Sequence, residues 1–266
     1  MPASLENQQI GLVLSGGGVK GMAHIGVIKA LSEHDIYPHY ISGVSAGALV
    51  GALYANNFNP EDMLAFFKET PLFKYNFVTI NKPGLFDTEK YLFALEKYFP
   101  ENRFEALHRP LYVTATNLQK GKPVYFQTGE LIHPLLASAA LPPVFSPVEI
   151  KGELYSDGGV MNNFPLEPLQ GQAEYIIGSY TSSMKELSKK EISNSFQISQ
   201  RANLLMLHAS ALNKLHIPDL LFRPEDLDLI GVLDKKGIDK AYEIGYAHAS
   251  KVLEAVTKVP GYADTK

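Results

Sequence analysis

Residues 43–47 read Gly43-Val44-Ser45-Ala46-Gly47, a G-x-S-x-G pentapeptide between a short apolar run and a helix of small residues. A strand that turns sharply into a helix at such a point holds a serine hydroxyl clear of the backbone. So tight a turn requires glycine at 43 and 47, where a Cβ would meet neighbouring backbone, and glycine tolerates the dihedrals around a strained nucleophile. The hydroxyl itself is a poor nucleophile at neutral pH. It needs a base to take its proton and donors placed where a carbonyl oxygen becomes anionic. Gly16-Gly17-Gly18-Val19-Lys20-Gly21 meets the second need. Consecutive glycines leave N–H groups unshielded, and the helix that starts behind them adds a partial positive field. Gly17 and Gly18 are the leading candidates for an oxyanion hole.

The same six residues also match G-x-G-x-x-G through Gly16, Gly18 and Gly21. A dinucleotide-binding unit would want an acidic residue at the end of the second strand. That strand ends in Gly43-Val44-Ser45, and Asp35 lies before it. Met22 follows Gly21, so the ATP-type loop fails outright. The base is less evident. None of the eight histidines (24, 34, 39, 108, 133, 208, 216 and 248) has the context of a triad member, and His24 reads as a packed or hydrogen-bonded helix residue. Asp157 follows an apolar strand and precedes Gly158-Gly159, where its side chain emerges at a sharp turn. On spacing alone a turn aspartate fits as well as a base.

The elements that must position these residues alternate. Ile10–Leu14 reads as a buried strand, 21–34 as a helix, Tyr40–Val44 as a second strand and 46–54 as a second helix. Strand, helix, strand, helix is the pattern of a parallel sheet with crossover helices. Strands are expected at 111–116, 124–127, leading up to Asp157, 175–180 and 220–222, with helices at 130–139, 196–215 and 237–257. The stretch 60–100 is rich in aromatics (Phe66, Phe67, Phe73, Tyr75, Phe77, Phe86, Tyr91, Phe93, Tyr98 and Phe99), mostly explained by core packing. The helix over 196–215 is expected to turn Leu204, Leu205, Leu207, Leu212 and Leu215 toward the core. Residues 181–195 read as a mobile polar loop within one domain spanning 1–266, whose core is about 10–180 and whose closing elements occupy 196–257.

The chain has 266 residues, a net charge of −4 and no cysteine. The charge and the lack of a basic block disfavour nucleic acid binding, and thiol nucleophiles and cysteine metal sites are excluded. The polar start, MPASLENQQI, lacks the basic and apolar regions of a secretory signal, and no run approaches the length of a membrane span. A cytoplasmic protein is expected, with any membrane contact transient and confined to the surface. Oligomeric state is left open.

Three blocks in one order, SGGGVKG (15–21), GVSAG (43–47) and DGG (157–159), resemble the patatin-like phospholipases. HIGVIKAL (24–31), ASAALPPVFSPV (137–148) and DGGVMNNFPLEPL (157–169) extend the match. The resemblance implies an α/β fold, a three-layer α/β/α sandwich with a mainly parallel central sheet. It implies a two-residue site in which Ser45 is the nucleophile and Asp157 its base, under an oxyanion loop of Gly16, Gly17 and Gly18. Lys20, Gly21, Gly43, Gly47, Gly158 and Gly159 complete its motifs. The reaction implied is hydrolysis of lipid acyl esters through an acyl-enzyme, of phospholipase A or lysophospholipase type, with no metal or cofactor. A thioesterase or acyltransferase would share the same acyl-enzyme, and a lipid-binding regulatory protein would share the fold without turnover. The family often has Arg where this chain has Lys20. Lys20 keeps the charge without the planar fork and otherwise reads as a solvated residue capping local structure. Asn162 and Asn163 are expected to hydrogen-bond the loop that carries Asp157.

Overall fold

The computed structural model describes residues 8–70, 83–182, 184 and 186–258. Its strands are β1 (Ile10–Leu14), β2 (Tyr40–Val44), β3 (Leu111–Asn117), β4 (Lys122–Phe126), β5 (Val148–Ile150), β6 (Glu153–Asp157), β7 (Tyr175–Ser179) and β8 (Leu220–Phe222). They form one eight-stranded sheet in the order β5-β6-β3-β2-β1-β7-β8, with β4 paired to β3. The run β3-β2-β1-β7-β8 is parallel, whereas β4, β5 and β6 join antiparallel. The mainly parallel sheet expected from the alternating elements is thus present, with an antiparallel annex at one end.

Among the described residues seven α-helices accompany the sheet: α1 (Met22–Glu33), α2 (Ala46–Ala55), α3 (Pro60–Glu69), α4 (Leu92–Glu96), α5 (Ile132–Ser138), α6 (Ser195–Leu212) and α7 (Ile238–Lys258). Successive strand residues point to opposite faces, and β1 divides the core accordingly. Ile10, Leu12 and Leu14 enter a large cluster with α1, α2, α3 and α7, while Val13 enters a smaller one with Phe164, Leu166, Leu169, Tyr180, Ala211 and Leu215. The sheet therefore has a packed layer on each face.

Phe66, Phe67, Tyr91 and Phe99 are buried, as expected of core aromatics, but Phe93 is exposed. Pro71, Phe73, Tyr75 and Phe77 lie outside the described residues. The expectation for α6 needs correction. Among its described side chains only Ala211, and Leu215 just beyond the helix, are buried, while Leu205 and Leu212 face solvent. The 181–195 segment is also more than a loop. It carries a short 3₁₀ turn at Lys189–Ile192, closed by a Ser188–Glu191 capping box. Among the described residues no helix is long and apolar enough to cross a membrane.

Candidate active site

β2 ends at Val44 and α2 begins at Ala46, leaving Ser45 alone to make the turn. It does so at φ 56°, ψ −127°, a conformation that costs an L-residue of order 1–3 kcal/mol and gathers at functional sites. The flanking glycines make the turn sterically feasible. A Cβ on Gly43 would stand 2.6 Å from the Gly47 carbonyl oxygen, and one on Gly47 would run into the carbonyls of Leu14 and Ser15. Ser45 occupies the N-cap of α2, so the positive end of that helix faces it.

Strand register brings Asp157 to Ser45 across 112 positions of sequence. Thr114 of β3 pairs with Val44 of β2 and with Tyr125 of β4, and Ala115 pairs with Asp157 of β6 and with Val124 of β4. Since β4 runs along one edge of β3, β2 and β6 must share the other. They approach along it from opposite directions and end at adjacent positions. Ser45 Oγ donates to Asp157 Oδ2 at 2.6 Å. Oδ1 accepts the Gly159 N–H at 2.8 Å, which fixes the carboxyl plane. Asp157 is buried, and burial pushes its carboxyl from 3.8 up to about 6, with the Ser45 hydroxyl and the Gly159 amide pulling the other way. Gly158 packs against the Thr114 carbonyl at the junction.

The end of α5 clamps both strand ends. Ser45 N–H donates to Ser138 Oγ at 2.8 Å, and the Ser138 hydroxyl donates to the Thr114 carbonyl at 2.6 Å. Asp157 N–H donates to the Ala140 carbonyl at 3.0 Å, and the Thr116 hydroxyl donates to the Asp157 carbonyl at 2.9 Å. None of these partners was singled out from sequence. A serine set among the mostly apolar residues 135–140 was the one sequence signal for Ser138, which the structure buries fully.

The glycine loop lies against the elbow, since a Cβ on Gly16 would stand 3.3 Å from Ser45 Cβ. Among the described residues the N–H groups of Gly17 and Gly18 donate to nothing. Gly18 sits at φ 57° and opens the 3₁₀ turn Gly18–Gly21 that leads into α1. The loop is held from behind. Thr181 and Ser182 hydroxyls donate to the Gly16 carbonyl at 3.1 and 2.6 Å. Asn163 Nδ2 donates to Ser182 Oγ at 3.0 Å, so Asn163 ties the Asp157 loop to the glycine loop. Asn162 turns away toward Tyr125, Glu167 and Lys214. The expected pair of loop-bonding asparagines thus splits into two roles. Thr181 and Ser182 were missed because they open a stretch whose composition resembles that of a surface loop.

His24 is buried behind the loop. Its Nε2–H donates to the Ser15 carbonyl at 2.9 Å, which leaves Nδ1 to accept the Ser179 hydroxyl at 2.7 Å. Burial holds the ring's pKa down at about 4, against a smaller upward pull from the Ser15 carbonyl. Both ring nitrogens are committed to supporting groups, in keeping with a hydrogen-bonded helix histidine. Lys20 departs from its expected solvated state. It is buried, with Nζ 3.4 Å from Asp228 Oδ1. Gly21 packs against Ala46 at the start of α2.

Ser45, Asp157, Lys20 and Gly16–Gly18 line a single cavity. Its other walls are largely apolar and include Leu49, Tyr91, Leu136, Phe145, Leu204 and Leu207. Such a cavity, apolar with few convergent polar groups, is the usual form of a small-molecule site.

A family model described as patatin-like phospholipase matches residues 12–169, more than half of the chain, a span that includes Gly16–Gly18, Ser45 and Asp157. The chain belongs to the patatin-like phospholipase family. Within it, the lysophospholipase nte1 of Aspergillus fumigatus is 27% identical over 92% of this patatin-like chain, which spans only 18% of that protein. An uncharacterised NTE-family protein of Mycobacterium tuberculosis is 34% identical over 61% of the chain and 46% of its own length. The crystal structure of VipD from Legionella pneumophila superposes with a TM-score of 0.54 at 16% identity, covering 93% of this chain and 67% of that one. That likeness establishes the patatin-like fold and nothing finer.

Proposed function

We propose that this chain hydrolyses acyl esters of lipids, of phospholipase A or lysophospholipase type, with Ser45 as nucleophile and Asp157 as its base. The observation that carries the reading is the 2.6 Å hydrogen bond from Ser45 Oγ to a buried carboxylate, beside two uncommitted glycine amides in an apolar cavity. Ser45 Oγ attacks the ester carbonyl as Asp157 Oδ2 takes its proton. The Gly17 and Gly18 amides receive the oxyanion, with Gly16 shaping the loop. Collapse of the tetrahedral adduct expels the alcohol or lysolipid, to which Asp157 returns the proton. Water deprotonated by Asp157 then attacks the acyl-Ser45 ester and releases the fatty acid.

A carboxylate at its ordinary pKa is a weak base. Raised to about 6, Asp157 is a stronger one and still largely ionised at pH 7. The remaining demand falls on the oxyanion donors, each typically contributing about 100–1,000-fold. The site chemistry does not by itself choose water over another acceptor, so the thioesterase and acyltransferase readings share every step before deacylation. The test compares wild type, Ser45→Ala and Asp157→Asn on phospholipids, lysophospholipids and acyl thioesters, with and without added alcohol. Fatty acid release by wild type, abolished in both variants, with stoichiometric fluorophosphonate labelling at Ser45, is the expected result. Undiminished turnover in Asp157→Asn would remove Asp157 from the role of base.

A further inference from the structure

The exposed face of α6 is apolar. Ile198, Leu205 and Leu212 recur every seventh residue and are 55%, 46% and 46% exposed, and Met206 beside them is 60% exposed. Ala202 and Ala209 fill the intervals; among the described side chains of the helix the exposed polar residues are Ser195 and Ser199, and the one charged residue, Arg201, is half-buried. Single exposed leucines are ordinary. An apolar stripe from Ile198 to Leu212, about 21 Å at 1.5 Å per residue, is not.

The other side of the same helix belongs to the candidate site. Leu204 and Leu207 line the cavity that holds Ser45 and Asp157, and a groove lined by Pro142, Pro143, Leu204 and Leu207 runs on along α6. A Cβ on Gly159, two residues past Asp157, would stand 3.0 Å from Leu207 Cδ2. The helix is thus a partition one helix thick between the site and whatever meets the stripe. Residues 184–214 also carry five basic and two acidic residues in a chain of net charge −4. Lys189 and Lys190 stand exposed just before the helix.

The geometry points to α6 as the face on which the protein docks to a phospholipid bilayer. The stripe sits at the boundary of headgroups and acyl chains, and Lys189 and Lys190 lie against anionic headgroups. An uncharged helix face flanked by lysines suits an interface with apolar depth and a negative surface. A second copy fits less well, because a two-fold contact through α6 would bring two segments of the same positive sign together. Docking here would bring the cavity to within one helix of the bilayer. The inference deepens the proposed hydrolase reading and takes from it only that the substrate is a lipid.

The test is flotation of the full chain with vesicles of phosphatidylcholine alone and of equimolar phosphatidylcholine and phosphatidylglycerol. The perturbation is Leu205→Glu with Met206→Glu, two solvent-facing positions that line no part of the cavity. Wild type is expected to float with the vesicles, more strongly with the anionic ones. The double variant should partition about tenfold or more less strongly, as expected when two large apolar side chains give way to charge. Its turnover of a soluble short-chain ester should be unchanged while its turnover of vesicle lipid falls. Ser45→Ala should float like wild type while losing turnover; a wild type that floats but releases no fatty acid from any ester would sink the hydrolase reading and spare the docking face. The proposal is overturned if wild type fails to float, if the double variant floats equally, or if sedimentation shows a wild-type dimer that the double variant dissolves without any vesicle binding.

Discussion

Replacing Asp157 by Asn should make the protein inactive and more stable, with a stability gain that depends on pH. The buried carboxyl holds its proton up to about pH 6, whereas in the unfolded chain it ionises near 3.8. Between those values the native state binds the proton and the unfolded state does not, so stability falls as pH rises through the window. At 1.36 kcal/mol per pKa unit the ionised carboxylate costs the fold about 3 kcal/mol above pH 6. Asparagine keeps the shape and removes the charge. Its Oδ1 accepts the Gly159 N–H and its Nδ2 donates to Ser45 Oγ, so neither polar atom is stranded. Asp157→Asn should therefore gain up to about 3 kcal/mol at pH 8, or about 5–10 °C in Tm for a chain of this size, and nothing at pH 3.5. His24 gives the opposite slope over nearly the same range. Its burial-depressed pKa of about 4 means stability is full above 6.5 and lost as pH falls. In wild type the two slopes largely cancel, and the variant should expose the His24 loss. Thermal melts of both proteins from pH 3.5 to 8, monitored by circular dichroism, measure the difference directly. A Tm difference absent at pH 8, or the same at every pH, would refute the assignment of a buried, ionised Asp157.

Two further outcomes follow from the same site. In wild type kcat/KM for a soluble ester should climb to a plateau with an apparent pKa of about 6, because only ionised Asp157 accepts the Ser45 proton; a stopped pH–rate series checks this. Ser138→Ala removes the acceptor for the Ser45 N–H and the donor to the Thr114 carbonyl, so it should cost about 1–3 kcal/mol in denaturant titrations and lower kcat with KM unchanged, since the cavity walls stay in place.

Much of this was legible in the sequence. Short apolar strands ending in glycine or serine, each followed by a helix, leave few alternatives, and β1, β2, β8, α1 and α2 lie where the pattern puts them to within two residues. The nucleophile turn and the glycine loop were readable because steric demand singles out glycine. Asp157 was not readable from spacing, because its partner depends on two strands of opposite direction sharing one edge of β3. Thr181, Ser182 and Ser138 were hidden for a related reason: a hydroxyl that satisfies a buried carbonyl looks, in sequence, like any loop or helix serine. Lys20 and α6 defeated the usual expectation in opposite senses. A lysine went inside because Asp228, over 200 residues away, meets it there. Leucines stayed outside because the periodicity of a helix identifies a stripe but does not say what covers it.

In the proposed mechanism, the head-on meeting of β2 and β6 would let two residues suffice where a serine and a carboxylate are commonly joined through histidine. An imidazole between them spans the gap and absorbs error in backbone placement. Without it, the carboxylate must itself arrive within hydrogen-bond distance of Oγ, and small displacements of either strand break the contact. Here the two strand ends are pinned to consecutive residues of one template strand, Thr114 and Ala115, and clamped by Ser138 and Ala140 at the end of one helix. Relative movement of Ser45 and Asp157 then requires breaking the ladder of β3 itself. The precision that a third side chain would supply is carried by sheet register, and the remaining catalytic demand passes to the glycine amides and to the desolvation that raises Asp157.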